Sequence, residues 1–391
     1  MTHGPHPTAD ANLLEDIRRR ARQEGLSGPA VVSARPAPGA AEALGKWLEA
    51  GHHGEMQYMA RLGTGRAEPR NWAPWARSLA LFADAYDSGK PCPLDPSRGA
   101  ISRYARGADY HEVLKSKLSR LCASLQDHGH RARPFVDSSP LMEKALAAAG
   151  GLGWIGKNGN LLQERGSFFF IGGVATDAVW APTPPVEDQC GTCDLCRTSC
   201  PTGAIVSPGM IDARLCISYL TIELKADIPV PLRPLLGNRV FGCDDCQDVC
   251  PWNRPASHPP DPAYRTRPAH DGPSLLELAC LSEEEFRSRF RHTAVRRARW
   301  VGLLRNVMVA LGNWGSPEAI PTLRRRLEHP APMVRRHAAW ALGRIREPAA
   351  KAALEARQQA ESDASVARAL AAALQDGAPP PGETTAPRWK A

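Results

Sequence analysis

Eight of the eleven cysteines fall between Cys190 and Cys250. They are spaced Cys190-x2-Cys193-x2-Cys196-x3-Cys200-Pro201, then a single Cys216, then Cys243-x2-Cys246-x3-Cys250-Pro251. Thiolates at this spacing wrap iron–sulfur cubes. Three sulfurs of a tight C-x2-C-x2-C loop converge on three irons, and the Cys-Pro that follows sends its sulfur to a second cube. The chemistry is one-electron transfer. Because the second run lacks its first cysteine, crossing of the runs gives one cluster Cys190, Cys193, Cys196 and Cys250. The other takes Cys200, Cys243 and Cys246, with Cys216 as the only candidate nearby for the eighth position. Structural zinc also uses C-x2-C pairs, and disulfide frameworks are the other home of dense cysteine. Neither accounts for two C-P-terminated runs as two [4Fe-4S] clusters do. Cys92, Cys122 and Cys280 have no spacing partners and read as ordinary thiols.

Clusters of this kind deliver electrons but hold no organic substrate, so a second site must do the bond chemistry. Asp137 is the candidate acid. It ends the stretch RARPFVDSSP, a strand pattern, just before a helical pattern that begins at Leu141, and crevices form at the carboxyl edges of α/β sheets. The same position suits an N-cap for that helix, and spacing leaves both readings open.

The elements that must position these groups follow from periodicity. Residues 11–24 and 109–128 carry apolar residues at helical spacing, SLALFADAY and SFFFIGGVATD read as buried strands, and 54–70 and 87–99 read as loops. Strands alternating with helices predict an α/β domain over residues 1–185. The cysteine-rich insert, 186–255, is similar to two-cluster ferredoxins. A linker (256–276), an all-helical segment (277–376) and a Pro/Gly/Thr-rich tail expected to be disordered (377–391) follow. Within the helical segment LLRNVMVALGNW at 303–314 matches VRRHAAWALGRI at 334–345, and a degraded copy begins at Val366. Repeats of this period imply stacked helical pairs of the HEAT type.

The 391-residue chain has a net charge of +8. It has no apolar run long enough to span a bilayer and no apolar leader at its start, so a cytoplasmic location is expected, with no membrane contact and a monomeric state. The positive charge is concentrated. Arg287, Arg289, Arg291, Arg296, Arg297, Arg299 and Arg305 lie in a stretch without an acidic residue, and Arg335 and Arg336 follow. Like charges on rigid helices repel unless a polyanion neutralises them, so these residues read as a phosphate cradle.

Five motifs in order, ISRYARGADYH, VDSSPLMEKALAAAGGLGWIGKN, GTCDLCRTSCPTGAI, CISYLTIE and NRVFGCDDCQDVCPWN, resemble epoxyqueuosine reductases. The resemblance runs from about residue 11 to 375. It implies a cobalamin in the α/β domain, making that a cobalamin-binding domain related to reductive dehalogenases, with the two [4Fe-4S] clusters beside it. It also implies a tRNA whose wobble base carries the substrate, and an external electron donor. The expected reaction is a two-electron deoxygenation of an epoxide to an alkene and water. Matched residue by residue, Asp137 takes the place of the family's proposed proton donor, with a raised pKa expected from burial. Arg66, Ser102, Asp137, Leu161, Ile171, Ser218, Cys243 and Asp244 take the places of cobalamin contacts, and Cys216 takes the eighth ligand position. Leu224 or Lys225 matches a tRNA contact, joined by Arg296, Arg297, Arg299, Arg305, Arg335 and Arg336 of the cradle. Lys157 and Asn158 match without an assigned role. Two rival readings are a dehalogenase-like reductase of a small molecule and a non-catalytic electron carrier; the arginine-rich repeats argue against the first.

Overall fold

The computed structural model describes residues 7–87, 89–254 and 261–375; residues 256–260 of the expected linker and the whole of the expected tail lie outside the described residues. Strands β1 (Ser27–Ser33), β2 (Ser78–Ala85), β3 (Ala132–Val136) and β4 (Phe169–Thr176) form one sheet in the order β1-β2-β4-β3. Every neighbouring pair is antiparallel. Pro134 can sit within β3 because that strand is an edge, where a missing N–H breaks no central ladder. Four helices cover the sheet: α1 (Pro7–Gln23), α2 (Ala40–Glu49), α3 (Tyr110–Asp127) and α4 (Glu143–Ala149). Ile17 and Ala21 of α1 pack with Leu114, Leu118 and Leu121 of α3 over one face, and Leu146 and Ala147 of α4 pack with Leu79, Leu81 and Phe135 over the other. Gly172 allows α3 to come this close. A β-carbon there would meet Leu118 Cδ1 at 2.8 Å and Leu114 Cδ2 at 2.9 Å.

The sheet therefore has helices on both faces, as an α/β reading expects, but its ladder is antiparallel and has no common carboxyl edge. Direction still gathers the chemistry at one end. β2 and β3 are each antiparallel to β4, so Tyr86 after β2 and Asp137 after β3 leave where β4 enters with Phe169. The stretch 54–70 is not the plain loop its polarity suggests. It contains a short helix, Gln57–Leu62, and the Arg66 guanidinium donates to the Tyr58 carbonyl at 3.0 Å.

The cysteine-rich segment is built from short pieces, including helix α5 (Ile217–Ile222), which starts directly after Cys216. A strand at Arg239–Phe241 pairs in parallel with Ala100–Ile101 and ties this segment to the sheet domain. The internal repeats are the helices α6 (Arg299–Trp314), α7 (Pro332–Ile345) and α8 (Ala364–Leu374), separated by helices at Ile320–Arg326 and Pro348–Ala360. The glycine of each Ala-Leu-Gly is the point of closest approach. A β-carbon on Gly312 would lie 2.9 Å from the Ala341 Cα, and one on Gly343 would lie 2.8 Å from the Ala373 carbonyl oxygen. No described helix is long and apolar enough to cross a membrane.

Two arginines of the expected cradle are not on the surface. Arg305 is 1% exposed and donates to the carbonyls of Leu220 at 2.6 Å, Leu224 at 2.8 Å and Ala226 at 2.7 Å. Beside it, Asn306 donates to Thr221 O and Val240 O. Apart from that of Val240, these carbonyls lie in and just beyond the last turn of α5, where helix-end oxygens lack partners and a cation is favoured. Arg335 is also buried and is held by Glu361 at 2.9 Å and 3.0 Å and by the His329 carbonyl. The local absence of acids misled because the partners come from other elements: Glu223 for Arg297 and Asp227 for Arg336, as well as Glu361 for Arg335. Replacing Arg305 by Met strands the buried carbonyl of Leu220 and the partly buried carbonyls of Leu224 and Ala226. We expect a loss of about 3 kcal/mol or more of stability, read as a lower denaturant midpoint with an unchanged slope.

Candidate active site

A cavity of about 520 Å³ opens at the end of the sheet where β2 and β3 leave. Its walls come from three places: Tyr86, Asp137, Phe169, Phe170 and Ile171 from the sheet end, Asn158 to Leu161 from the glycine-rich turn, and the cysteine-rich segment. From that segment Cys200, Cys216, Cys243 and Cys246 all face in. A second cavity, of about 240 Å³, is lined by Cys190, Cys193, Cys196 and Cys250. The eight thiols are thus sorted in space into the two groups of four that spacing and crossing assign. None of the eleven cysteines forms a disulfide. Among the described residues no three or more His, Cys, Asp or Glu gather tightly around the point that a single ion would occupy; each set rings a cavity instead.

Asn158 lines both cavities, and its amide donates to the Cys246 carbonyl at 3.2 Å. Lys157 donates to the Cys193 carbonyl at 2.7 Å. The turn therefore holds one loop of each cysteine set, through the side chains of two adjacent residues. Lys144, which sequence reasoning passed over, also faces the larger cavity and is held by the Gly159 carbonyl at 2.9 Å.

Ser102, Asp137, Leu161, Ile171, Ser218 and Cys243 line the larger cavity. Asp244 lies just behind the wall: it is 2% exposed, accepts the Ser102 hydroxyl, and accepts the Arg103 N–H at 2.8 Å. Arg66 is not part of the wall. It sits against the Tyr58 ring, and its Nε is buried without a partner among the described residues.

Asp137 does not cap the helix that follows. Met142 occupies that position, and α4 begins at Glu143. The Asp137 side chain is half-exposed into the cavity, with Oδ1 2.7 Å from His111 Nε2 and Oδ2 accepting the Tyr110 hydroxyl. Its pKa is not raised, as the sequence reading required. Burial pushes it up, but the hydrogen bond and charge of His111, the Tyr110 hydroxyl and the charge of Arg297 outweigh that, leaving it below the ordinary carboxylate value. The proton sits on the histidine. Burial works against the charged imidazole, yet hydrogen bonds to Asp109 and Asp137 bring His111 up to about 9. Sequence reasoning quoted Tyr110 and His111 within ISRYARGADYH without giving them a role. A helix start that places Asp109, Tyr110 and His111 in succession was the available signal.

Arg296, Arg297, Arg299 and Lys225 are exposed, Leu224 is half-buried, and the charge of Arg297 reaches Asp137. Partial burial, then the charges of Arg299 and Arg297, hold the Lys225 pKa below its usual value despite Glu223. The crowding of positive charge expected from the sequence is real at this spot, even though Arg297 is paired with Glu223 and Arg336 with Asp227.

Comparison with known proteins places this arrangement. Family models match at three places: "Epoxyqueuosine reductase QueG" over residues 66–138, a 4Fe-4S double cluster binding domain over 189–253, and HEAT repeats over 291–375. The epoxyqueuosine reductase of Pseudomonas aeruginosa PAO1 is 41% identical over 360 residues, covering 87% of this chain and 98% of the relative. That of Escherichia coli K12 is 44% identical over 306 residues, covering 76% and 81%. Among solved structures, an epoxyqueuosine reductase with an epoxyqueuosine-modified tRNA-Tyr stem loop superposes with a TM-score of 0.87 at 31% identity, covering 93% of this chain and 98% of that one. A Bacillus subtilis epoxyqueuosine reductase whose catalytic aspartate loop is swung out of the active site gives 0.86 at 30% identity, covering 93% and 99%. With an acid-bearing cavity, a double-cluster domain and helical repeats in this order, and relatives matched along most of their length, the chain belongs to the epoxyqueuosine reductase family of oxidoreductases.

Proposed function

We propose that the chain converts epoxyqueuosine in tRNA to queuosine, with Asp137 delivering protons to the departing epoxide oxygen. One observation carries the reading: Asp137 and the thiols of Cys200, Cys216, Cys243 and Cys246 face the same cavity. An acid and an electron source there serve one space. Cys190, Cys193, Cys196 and Cys250 would hold one [4Fe-4S] cluster and the other four a second, fed by an external reductant.

The lining also fits a cobalamin. Leu161, Ile171 and Ile217 offer apolar contact to the face of a flat macrocycle, and Asn158, Asn160, Ser167, Ser218 and Gln247 offer hydrogen-bonding groups to its amide rim. The Arg66 Nε, buried and unsatisfied, is a further donor that a bound group could use. When bound, cobalamin supplies a cobalt centre that accepts low-potential electrons and can act on the epoxide. The protein's own part is to hold the base beside that space and to move protons at the Asp137 carboxyl.

Lys225, Arg296, Arg297 and Arg299, with Arg336 farther along and Leu224 as a packing contact, are the surface on which we seat the tRNA. Phosphate contacts there fix position, and the modified base entering the cavity supplies selectivity. Two experiments test the reading. Incubating cluster- and cobalamin-loaded protein with epoxyqueuosine tRNA and a reductant yields queuosine by nucleoside mass analysis; a loaded protein that converts none of it overturns the function. Substituting Lys225 and Arg299 by Ala together weakens tRNA binding and flattens its salt dependence by about one to two units of log–log slope. An unchanged slope would remove these residues from the interface.

A further inference from the structure

Deoxygenating an epoxide to an alkene and water consumes two electrons and two protons. Asp137 can carry one proton at a time, and the structure holds it as a carboxylate beside a charged imidazole. The proton for the reaction must therefore be kept close by and passed through it. The start of α3 is built for that. His111 places Nε2 2.7 Å from Asp137 Oδ1 and Nδ1 2.7 Å from Asp109 Oδ1. Its ring cannot turn freely: it stacks on Tyr110 at 4.1 Å and 27°, and Tyr110 stacks on Phe170 at 4.2 Å and 5°. Asp109 is fixed in turn as the N-cap of α3, with its carboxylate accepting the His111 N–H. Its own N–H donates to the His292 carbonyl at 2.9 Å.

We propose that Asp109 and His111 form a proton store that charges Asp137 during turnover, with His111 as a positioning and proton-holding residue behind the acid. This deepens the Asp137 reading given above and rests on it. The step balances. His111 passes its Nε2 proton to Asp137 Oδ1, and Asp137 then gives that proton to the departing oxygen as its bond to carbon breaks. Asp137 returns to carboxylate, and His111 is left as neutral imidazole with its Nδ1 proton held by Asp109. Nε2 is then recharged from water, which the partly exposed ring can reach. Repeating the step supplies the second proton. Asp109 here does what the buried aspartate of a hydrolase triad does: it fixes the tautomer and stabilises the imidazolium.

The groups facing this store come from several elements. Tyr110 and Asp109 belong to the start of α3, Asp137 follows β3, and the charge of Asp137 acts on Glu143 of α4. Tyr104 acts on Tyr110. From the helical repeats, Arg297 faces Asp137, while His292, paired with Glu112, faces Asp109. Because His111 is held at about 9, the native rate should stay level up to that region and fall as pH rises through it, when the store is deprotonated.

The test is the pH profile of queuosine formation in loaded protein, with tRNA affinity and cluster absorbance as controls of the fold. Asp109→Asn removes the charge that raises His111 while keeping its ring seated; the alkaline limb should move down by about one unit or more, with little change at low pH. His111→Gln should lower the rate at pH 8 by about 10²-fold, and imidazole should restore part of the rate in His111→Ala. Should Asp137→Asn be impaired while Asp109→Asn and His111→Gln keep the native profile, the store is wrong and the acid stands. Normal turnover in Asp137→Asn would remove the acid and the store together.

Discussion

Asp137→Asn protein should bind tRNA and load its clusters as the native chain does, while forming queuosine about 10²-fold more slowly or worse. The asparagine amide keeps the size of the side chain and can still meet Tyr110 and His111, the two partners that hold Asp137 in place. The capacity to carry a proton is lost, together with the charge that helps to raise His111. Single-turnover measurement with limiting tRNA is the proper readout, because it separates proton delivery from product release. A fall in tRNA affinity of the same size would assign Asp137 to binding instead.

Cys216→Ala should be as damaging for a different reason. Cys216 faces the larger cavity with Cys200, Cys243 and Cys246, and it is the N-cap residue of α5. Its loss leaves three thiols for the second cluster and leaves the set of Cys190 untouched. Iron should fall from about eight to about four per chain, with queuosine formation abolished. The matching change at Cys193 should also halve the iron but leave the cavity beside Asp137 intact. Full iron in the Cys216 variant would break the assignment of that residue.

How much of this was legible in the sequence depends on the range of the contact. The cysteine sets could be sorted from spacing, because each run folds back on itself within a few residues, and the one long-range element, the crossing, follows a fixed rule. The repeat glycines were visible as a pattern, but their job, allowing α6, α7 and α8 to touch, needed the structure. His111 was hidden because its partner Asp137 lies beyond the whole of α3 and β3. Arg305 was misplaced for a related reason: a sequence shows where charge sits, not where unpaired carbonyls point. The antiparallel ladder was not legible either, since strands alternating with helices are usual for parallel sheets. What survived the change of ladder was the end of the sheet at which Asp137 leaves.

The bolt from Arg305 and Asn306 into the end of α5 has a meaning for how such a chain can be inherited. Arginine-bearing repeats have the form of a cassette that recombination could add or drop, leaving the redox half to work alone. Here the cassette closes off a helix whose first residues, Ile217 and Ser218, face the reaction space and which begins at Cys216. Deleting it would leave the end of α5 without the partners that hold its carbonyls, so the repeats are a structural support of the cavity wall and not only a surface added beside it.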